Sequence, residues 1–242
     1  NIGAEGQLIV GALAGGWVAI VTDGSDSAWI LPAMVLAGAI GGALWGAIPA
    51  LLRTRFNASE TLTTLMLTYV ASLLLAWLMN GPWRDPDGMN FPQSIMFSDR
   101  ALFSILLEGS RVNTSMFITG FAVLAFWLFN ARSFMHFQIE VGGLAPAASH
   151  YAGFSSRQTI WLCLVISGMT AGIAGVGEIA GPVGQLNLNI SPGYGFAAII
   201  VAHLGRLHAI GIVLAASIMA LIYLGGEAAQ VDLAARAGAL GL

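Results

Sequence analysis

The chain has 242 residues, 57% of them hydrophobic and only 9% charged, with a formal net charge of -3 and a mean hydropathy of +0.81. A soluble fold needs a polar exterior that this composition does not supply, so the principal solvent of the chain is lipid. All nine basic residues are arginine; without a lysine the usual P-loop is excluded, and the single cysteine, Cys163, excludes an internal disulfide and a cysteine-cluster metal site.

Measured against the roughly 20 apolar residues that cross a ~30 Å hydrocarbon core, spans are expected at 7–22, 28–52, 61–80, 112–131, 158–180 and 207–225. A shorter run at 194–204 follows Ser191-Pro192-Gly193 and reads as a half-helix entering from a re-entrant turn. The expectation is an all-α, polytopic transmembrane helical bundle: one domain over 1–242, truncated at both ends, with about six spans plus the half-helix. Glycine makes up 31 of the 242 residues, which implies closely packed helices, since small residues let backbones approach in lipid.

The first polar feature is NIGAEGQ at 1–7. Glu5 lies between glycines where the chain should enter the bilayer, which predicts broken backbone. With Asn1 and Gln7 it makes a candidate solute pathway, because ionisable groups at membrane depth usually face a bundle interior. Asn57 followed by Glu60 reads as a capping-box-like start of the next helix. In that helix Thr61, Thr64 and Thr68 share a face beside Tyr69; they either line a polar route or bond their own backbone.

Residues 81–111 predict an ordered external loop, with Trp83 and Phe91 as stacking platforms or interfacial anchors. The stretch 140–157, EVGGLAPAASHYAGFSSR, is small-residue and turn-rich between two spans and suggests a docking surface. Glu178 ends a glycine-rich span and is either a pathway residue or a carboxylate reaching interfacial water. Gln185, Asn187 and Asn189 are neutral groups suited to hydroxylated solutes, although turns favour asparagine anyway. NIGAEGQ at 1–7 and NISPGYG at 189–195 are candidates for the two interrupted segments of an inverted repeat, on a similarity too short to establish one. Glu227 is expected just outside the last span.

Arginine gathers in cytoplasmic loops. Placing Arg53, Arg55, Arg132, Arg157 and Arg206 inside leaves four arginines outside, with Asp23, Asp26, Asp85, Asp87, Asp99, Glu108 and Asp232. The inner loops are short and their arginines stand at span ends, so 140–157 is assigned to the cytoplasm and 81–111 to the outside. No serine–histidine or paired-aspartate arrangement and no HExxH motif appears, which argues against an enzyme.

NIGAEGQL at 1–8, ASETLTTLMLTYVASLLL at 58–75, GPWRDPDGMNFPQS at 81–94, PAASHYAGF at 146–154, SGMTAGIAGVGE at 167–178, SPGYGFAAIIVAHLGRLHAIGIVLAA at 191–216 and YLGGE at 223–227 together resemble one family. It is that of the permease subunits of bacterial ABC importers in the branched-chain amino acid and simple-sugar superfamily, nearest the nucleoside and simple-sugar permeases. The resemblance implies a type II importer-like fold in the inner membrane and alternating access. It also implies a second, non-identical permease, cytoplasmic ATPase subunits that bind ATP and Mg, an extracytoplasmic solute-binding protein, and no nucleic acid. By the same resemblance Gly143, Pro146, Ala147, Ala148, His150, Tyr151, Ala152 and Gly153 correspond to a coupling helix seated on the ATPase. Here Ala145 and Glu140 replace the family's usual asparagine and basic residue, Ser59 precedes Glu60 where the family has asparagine, and Thr68 replaces another asparagine. An ion-coupled secondary transporter of a small polar solute would share the broken helices and buried acids, and is the alternative.

Overall fold

Nine helices follow one another among the described residues: α1 (Ala4–Val21), α2 (Ile30–Phe56), α3 (Glu60–Asn80), α4 (Ser115–Arg132), α5 (Phe134–Leu144), α6 (Pro146–Tyr151), α7 (Ser156–Glu178), α8 (Tyr194–Leu204) and α9 (Ala209–Ala239). The computed structural model describes residues 1–107, 109–110 and 112–239, the side chains of 232–239 excepted. Glu108 and Arg111 of the outer loop, and the side chains of Asp232 and Arg236, therefore lie outside the described residues. Six helices are long and apolar enough to cross a membrane: α1 to α4, α7 with its extension to Val183, and α9. With the short apolar α8 they make the chain all-α and polytopic, the class expected from composition. The described residues contain no strand, only the isolated bridges Gln93/Asn187 and Ile105/Asn113.

Two compact units divide the chain, 1–196 and 197–242. The core of the first is the trio α1, α2 and α7, in which α2 runs antiparallel to the other two. Backbones meet directly there: a Cβ added at Gly42 would stand 2.1 Å from the Gly168 carbonyl oxygen, and one at Gly172 would stand 2.1 Å from that of Gly38. Only glycine permits that approach, which replaces the hydrophobic drive that lipid withholds with backbone van der Waals contact. Met34, Ala12, Val176 and Ile179 fill the space around it and are fully buried. α3 joins on the other side of α1, with Gly3 against Thr64 and Gly6 against Thr68.

α7 ends in a π-turn, Ile179–Val183, containing Pro182, and the chain leaves it through Gly184 at φ 74°. A proline has no N–H to give the helix, so the last turn widens and stops. The loop 81–111 docks on this segment. Ser94 exchanges bonds with Leu186, the Phe97 N–H donates to the Gly184 carbonyl at 2.9 Å, and the Phe103 N–H donates to that of Ala180 at 2.8 Å. In the second unit a turn with Arg206 and Leu207 both at positive φ precedes α9.

Four expectations change. Asn57 is the left-handed C-cap of α2 (φ 52°, ψ 31°), so it does not open α3. The cap of α3 is Ser59, whose hydroxyl accepts from the Leu62 N–H, while Glu60 pairs with Arg53 at 3.2 Å. Glu5 lies in the first turn of regular helix α1, not in broken backbone, because its flanking glycines serve close packing. Glu227 falls inside α9, where alanine, glutamine and leucine sustain the helix. Finally, 134–144 forms a helix of its own, α5, that the span-length reading passes over.

Candidate functional site

Polar side chains meet at the start of α1. Asn1 Nδ2 donates to Gln7 Oε1 at 2.8 Å and to Ser167 Oγ at 2.7 Å, tying α1 to α7. Gln7 is 1% exposed and Glu5 is 5% exposed. Ser167 stands 11 positions beyond the start of α7, roughly 16 Å along it at about 1.5 Å per residue. Gly46, whose added Cβ would meet Gln7 Nε2, stands 10 positions before the end of α2, roughly 15 Å from it. Both distances place the cluster well inside α2 and α7, away from those two helix ends.

Glu5 reaches from α1 to the half-helix. Its Oε2 accepts from the Gly195 N–H at 2.6 Å in a buried contact, at the second residue of α8. Ser191 Oγ accepts from the Tyr194 N–H at 3.1 Å. A carboxylate at a helix N-terminus satisfies an orphan donor and complements the helix dipole. The two glycine-bearing segments, 1–7 and 189–195, are thus in contact.

Thr64 and Thr68 are buried against α1, and their hydroxyls donate to the carbonyls of Thr61 and Thr64. The backbone-bonding reading therefore describes them. Thr61 is exposed and Tyr69 is 61% exposed; neither joins the cluster around Asn1 and Gln7. Glu178 is half-buried at the end of α7. Gln185 Nε2 donates to Gln93 Oε1 at 3.2 Å and so fastens the outer loop to its docking strip, while Asn187 Oδ1 accepts from the Asn189 N–H at 2.8 Å within its own turn. Trp83 packs on the core and Phe91 is exposed. Sequence reasoning missed two groups. Ser167 looks like one more small packing residue, and the Trp45 indole N–H is a buried side-chain donor without a partner.

The stretch 140–157 folds as the end of α5, the short α6 and the start of α7. Ala145 breaks the helix (φ -142°, ψ 73°) because the following Pro146 disfavours helical backbone before it, and Pro146 then opens α6. α6 closes with Gly153 at φ 78°. The Gly153 N–H donates to the His150 carbonyl and the Phe154 N–H to that of Ser149, each at 3.0 Å, the paired bonds of a Schellman ending. Phe154 then meets the rings of Phe134 and Phe137 at 5.9 and 6.3 Å, clamping the two ends of the α5–α6 hairpin together. Gly143, Pro146, Ala147, Ala148, His150, Tyr151, Ala152 and Gly153 all remain exposed, Tyr151 at 96%.

A family model described as branched-chain amino acid transport system, permease component, matches residues 1–239. A glucose ABC transporter permease protein of Haloferax volcanii is 38% identical over 242 residues, covering 96% of this chain and 63% of the relative. A guanosine ABC transporter permease protein of Bacillus subtilis is 33% identical, covering 93% and 65%. A nucleoside ABC transporter permease protein of Lactococcus lactis subsp. cremoris is 30% identical, covering 93% and 64%. The chain thus spans 63–65% of the length of these relatives. No solved structure matches it. With the match running nearly end to end and six helices able to cross a membrane, this multi-pass inner-membrane chain belongs to the permease family of branched-chain amino acid transport systems.

Proposed function

We propose that the chain is the membrane-spanning permease subunit of an ATP-driven importer that moves a nucleoside or simple sugar by alternating access. One observation carries the coupling half of this reading: an exposed, small-residue tip from Pro146 to Gly153, held rigid by its Schellman ending and by the ring contacts of Phe154. A tip of that kind suits insertion into a groove on another protein, because alanines permit close approach and a locked hairpin transmits displacement. The chain itself is a transport component and not an enzyme; ATP and Mg are bound by separate cytoplasmic ATPase subunits, and no cofactor is assigned to this chain.

In this reading residues 1–242 are one transmembrane domain, 140–157 is the cytoplasmic coupling segment, and 81–111 faces the extracytoplasmic binding protein. A second, non-identical permease completes the path. Asn1, Glu5 and Gln7 with Ser167 supply amide, carboxylate and hydroxyl groups, a donor and acceptor set suited to a polyhydroxylated solute. The relatives named for glucose, guanosine and nucleosides support that solute class. Gln185, Asn187 and Asn189 line the outer approach beside Glu178, while Thr61, Thr64, Thr68 and Tyr69 belong to the half of α3 that starts at the inner end, Thr64 and Thr68 as packing residues against α1.

Changing Ala147 and Ala148 together to tryptophan is expected to lower ATP-dependent uptake by at least about tenfold, since a tenfold change corresponds to only roughly 1.4 kcal/mol. Insertion, read as the amount of chain in the membrane fraction, should not change. Normal uptake by that variant would overturn the coupling assignment.

A further inference from the structure

A groove of about 450 Å³ runs between α5 and the beginning of α7. Its polar lining comes from Gln138, Gln158 and Thr159, and its apolar lining from Met135, Leu162 and Val165, with Trp161 between. On α7 the positions 158, 161, 162 and 165 fall on one face, so the groove follows that helix for roughly 10 Å. Gln158 lies in the first turn of α7, and Val165 lies two turns further along it. Polarity therefore declines along the groove, as it does along a phospholipid.

The mouth is basic. Arg157 is exposed beside Gln158. The Trp161 indole N–H donates to Thr54 Oγ1 at 3.1 Å, which brings the end of α2, with the exposed Arg55, against the groove wall. Arg132 ends α4, whose Phe129 ring meets His136 of α5 at 6.1 Å. Arg53 is engaged by Glu60, but among the described residues no salt bridge engages Arg55, Arg132 or Arg157. Glu140, the acid of α5, stands two positions beyond Gln138 and so about 200° round the helix from it.

We propose that this groove holds an anionic phospholipid of the inner leaflet, its headgroup at Arg157 and Arg55 and one acyl chain along Leu162 and Val165. Charge complementarity selects that occupant: juxtamembrane arginines attract anionic headgroups, and the apolar floor begins where the hydrocarbon does. The proposal needs α7 to begin at the inner membrane surface; it is independent of the coupling role of α6, so either can fail alone.

The test is native mass spectrometry of the full-length permease in detergent, supplied with equal amounts of phosphatidylglycerol and phosphatidylcholine. Phosphatidylglycerol is expected to be retained over phosphatidylcholine by roughly tenfold, a preference removed by the R55Q/R157Q double variant. Val165→Trp, which fills the apolar end and leaves the arginines, should lower phosphatidylglycerol retention several-fold. Equal retention of the two lipids, an unchanged preference in R55Q/R157Q, or unchanged retention in Val165→Trp would each overturn it. So would a crosslink from Gln158→Cys to another protein subunit in the intact complex, since that would put protein where lipid is proposed.

Discussion

Gly172→Leu is expected to prevent the chain from accumulating in folded form. A Cβ at this position would stand 2.1 Å from the Gly38 carbonyl oxygen and 3.1 Å from the Gly42 Cα. These are backbone atoms of a helix, so no rotamer change relieves the clash and α2 and α7 must separate. Overpacking a well-filled core costs typically about 1–3 kcal/mol even where side chains can adjust; a leucine driven into backbone exceeds that range, against a total stability of only about 5–15 kcal/mol. Gly172→Ala carries the same Cβ clash but no atoms beyond it, so the helices separate less and its melting temperature should fall without the complete loss of folded chain expected of leucine. Gly120→Leu is the control, because a Cβ there meets nothing within 4 Å and its melting temperature should match the parent. Size-exclusion profiles and thermal melts in one detergent distinguish the three. A parent-like melt for Gly172→Leu would contradict the close-packed trio of α1, α2 and α7.

The second large effect concerns Glu5. Glu5→Ala removes the acceptor from the Gly195 N–H and leaves that donor buried at the start of α8. Hydrogen bonds to charged groups contribute roughly 1.5–3 kcal/mol. If the Gly195 N–H must be held by Glu5 for solute to pass, uptake falls by about tenfold to a hundredfold at roughly 1.4 kcal/mol per factor of ten. Glu5→Gln retains an acceptor oxygen of the same shape but loses the charge, and should lie between alanine and the parent. The order parent, glutamine, alanine in initial uptake rate is the expected result. Parent-like uptake by Glu5→Ala would remove Glu5 from the transport path.

The sequence made α8 legible almost to the residue, because Ser191-Pro192-Gly193 punctuates the chain locally and an 11-residue apolar run is too short to span. The short helix opened by Pro146 was legible through the family resemblance, and the break at Ala145 follows from the proline's constraint on its neighbour. What escaped was long-range. Asn1 and Ser167 are 166 positions apart, and nothing in SGMTAGIAGVGE separates a serine that bonds another helix from the small residues that pack beside it. Glu5 was recognised as a buried acid, but its glycine neighbours looked like helix breakers; Gly6 instead admits Thr68 of α3, a partner invisible from 1–7 alone. α5 was hidden because 11 residues ending in Gly142-Gly143-Leu144 match neither a span nor an obvious amphipathic repeat. It starts at a Ser133 cap, and the rings of Phe134 and Phe137 pack on Phe154, a partner beyond the reach of local periodicity. Asn57 shows the opposite failure, since a residue type shared by helix starts and helix ends was read as a start.

ATP-driven movement of a polar solute through this permease is tested most directly in proteoliposomes containing the full importer, with a nucleoside and a hexose as probe solutes. Uptake is measured with ATP on the side of the 140–157 hairpin, with and without the ATPase subunits, and with ionophores that collapse proton and sodium gradients. The account predicts uptake that requires both ATP and the ATPase subunits and persists when the gradients are collapsed. Uptake driven by an ion gradient in the absence of ATP would contradict it and establish the secondary-transporter alternative.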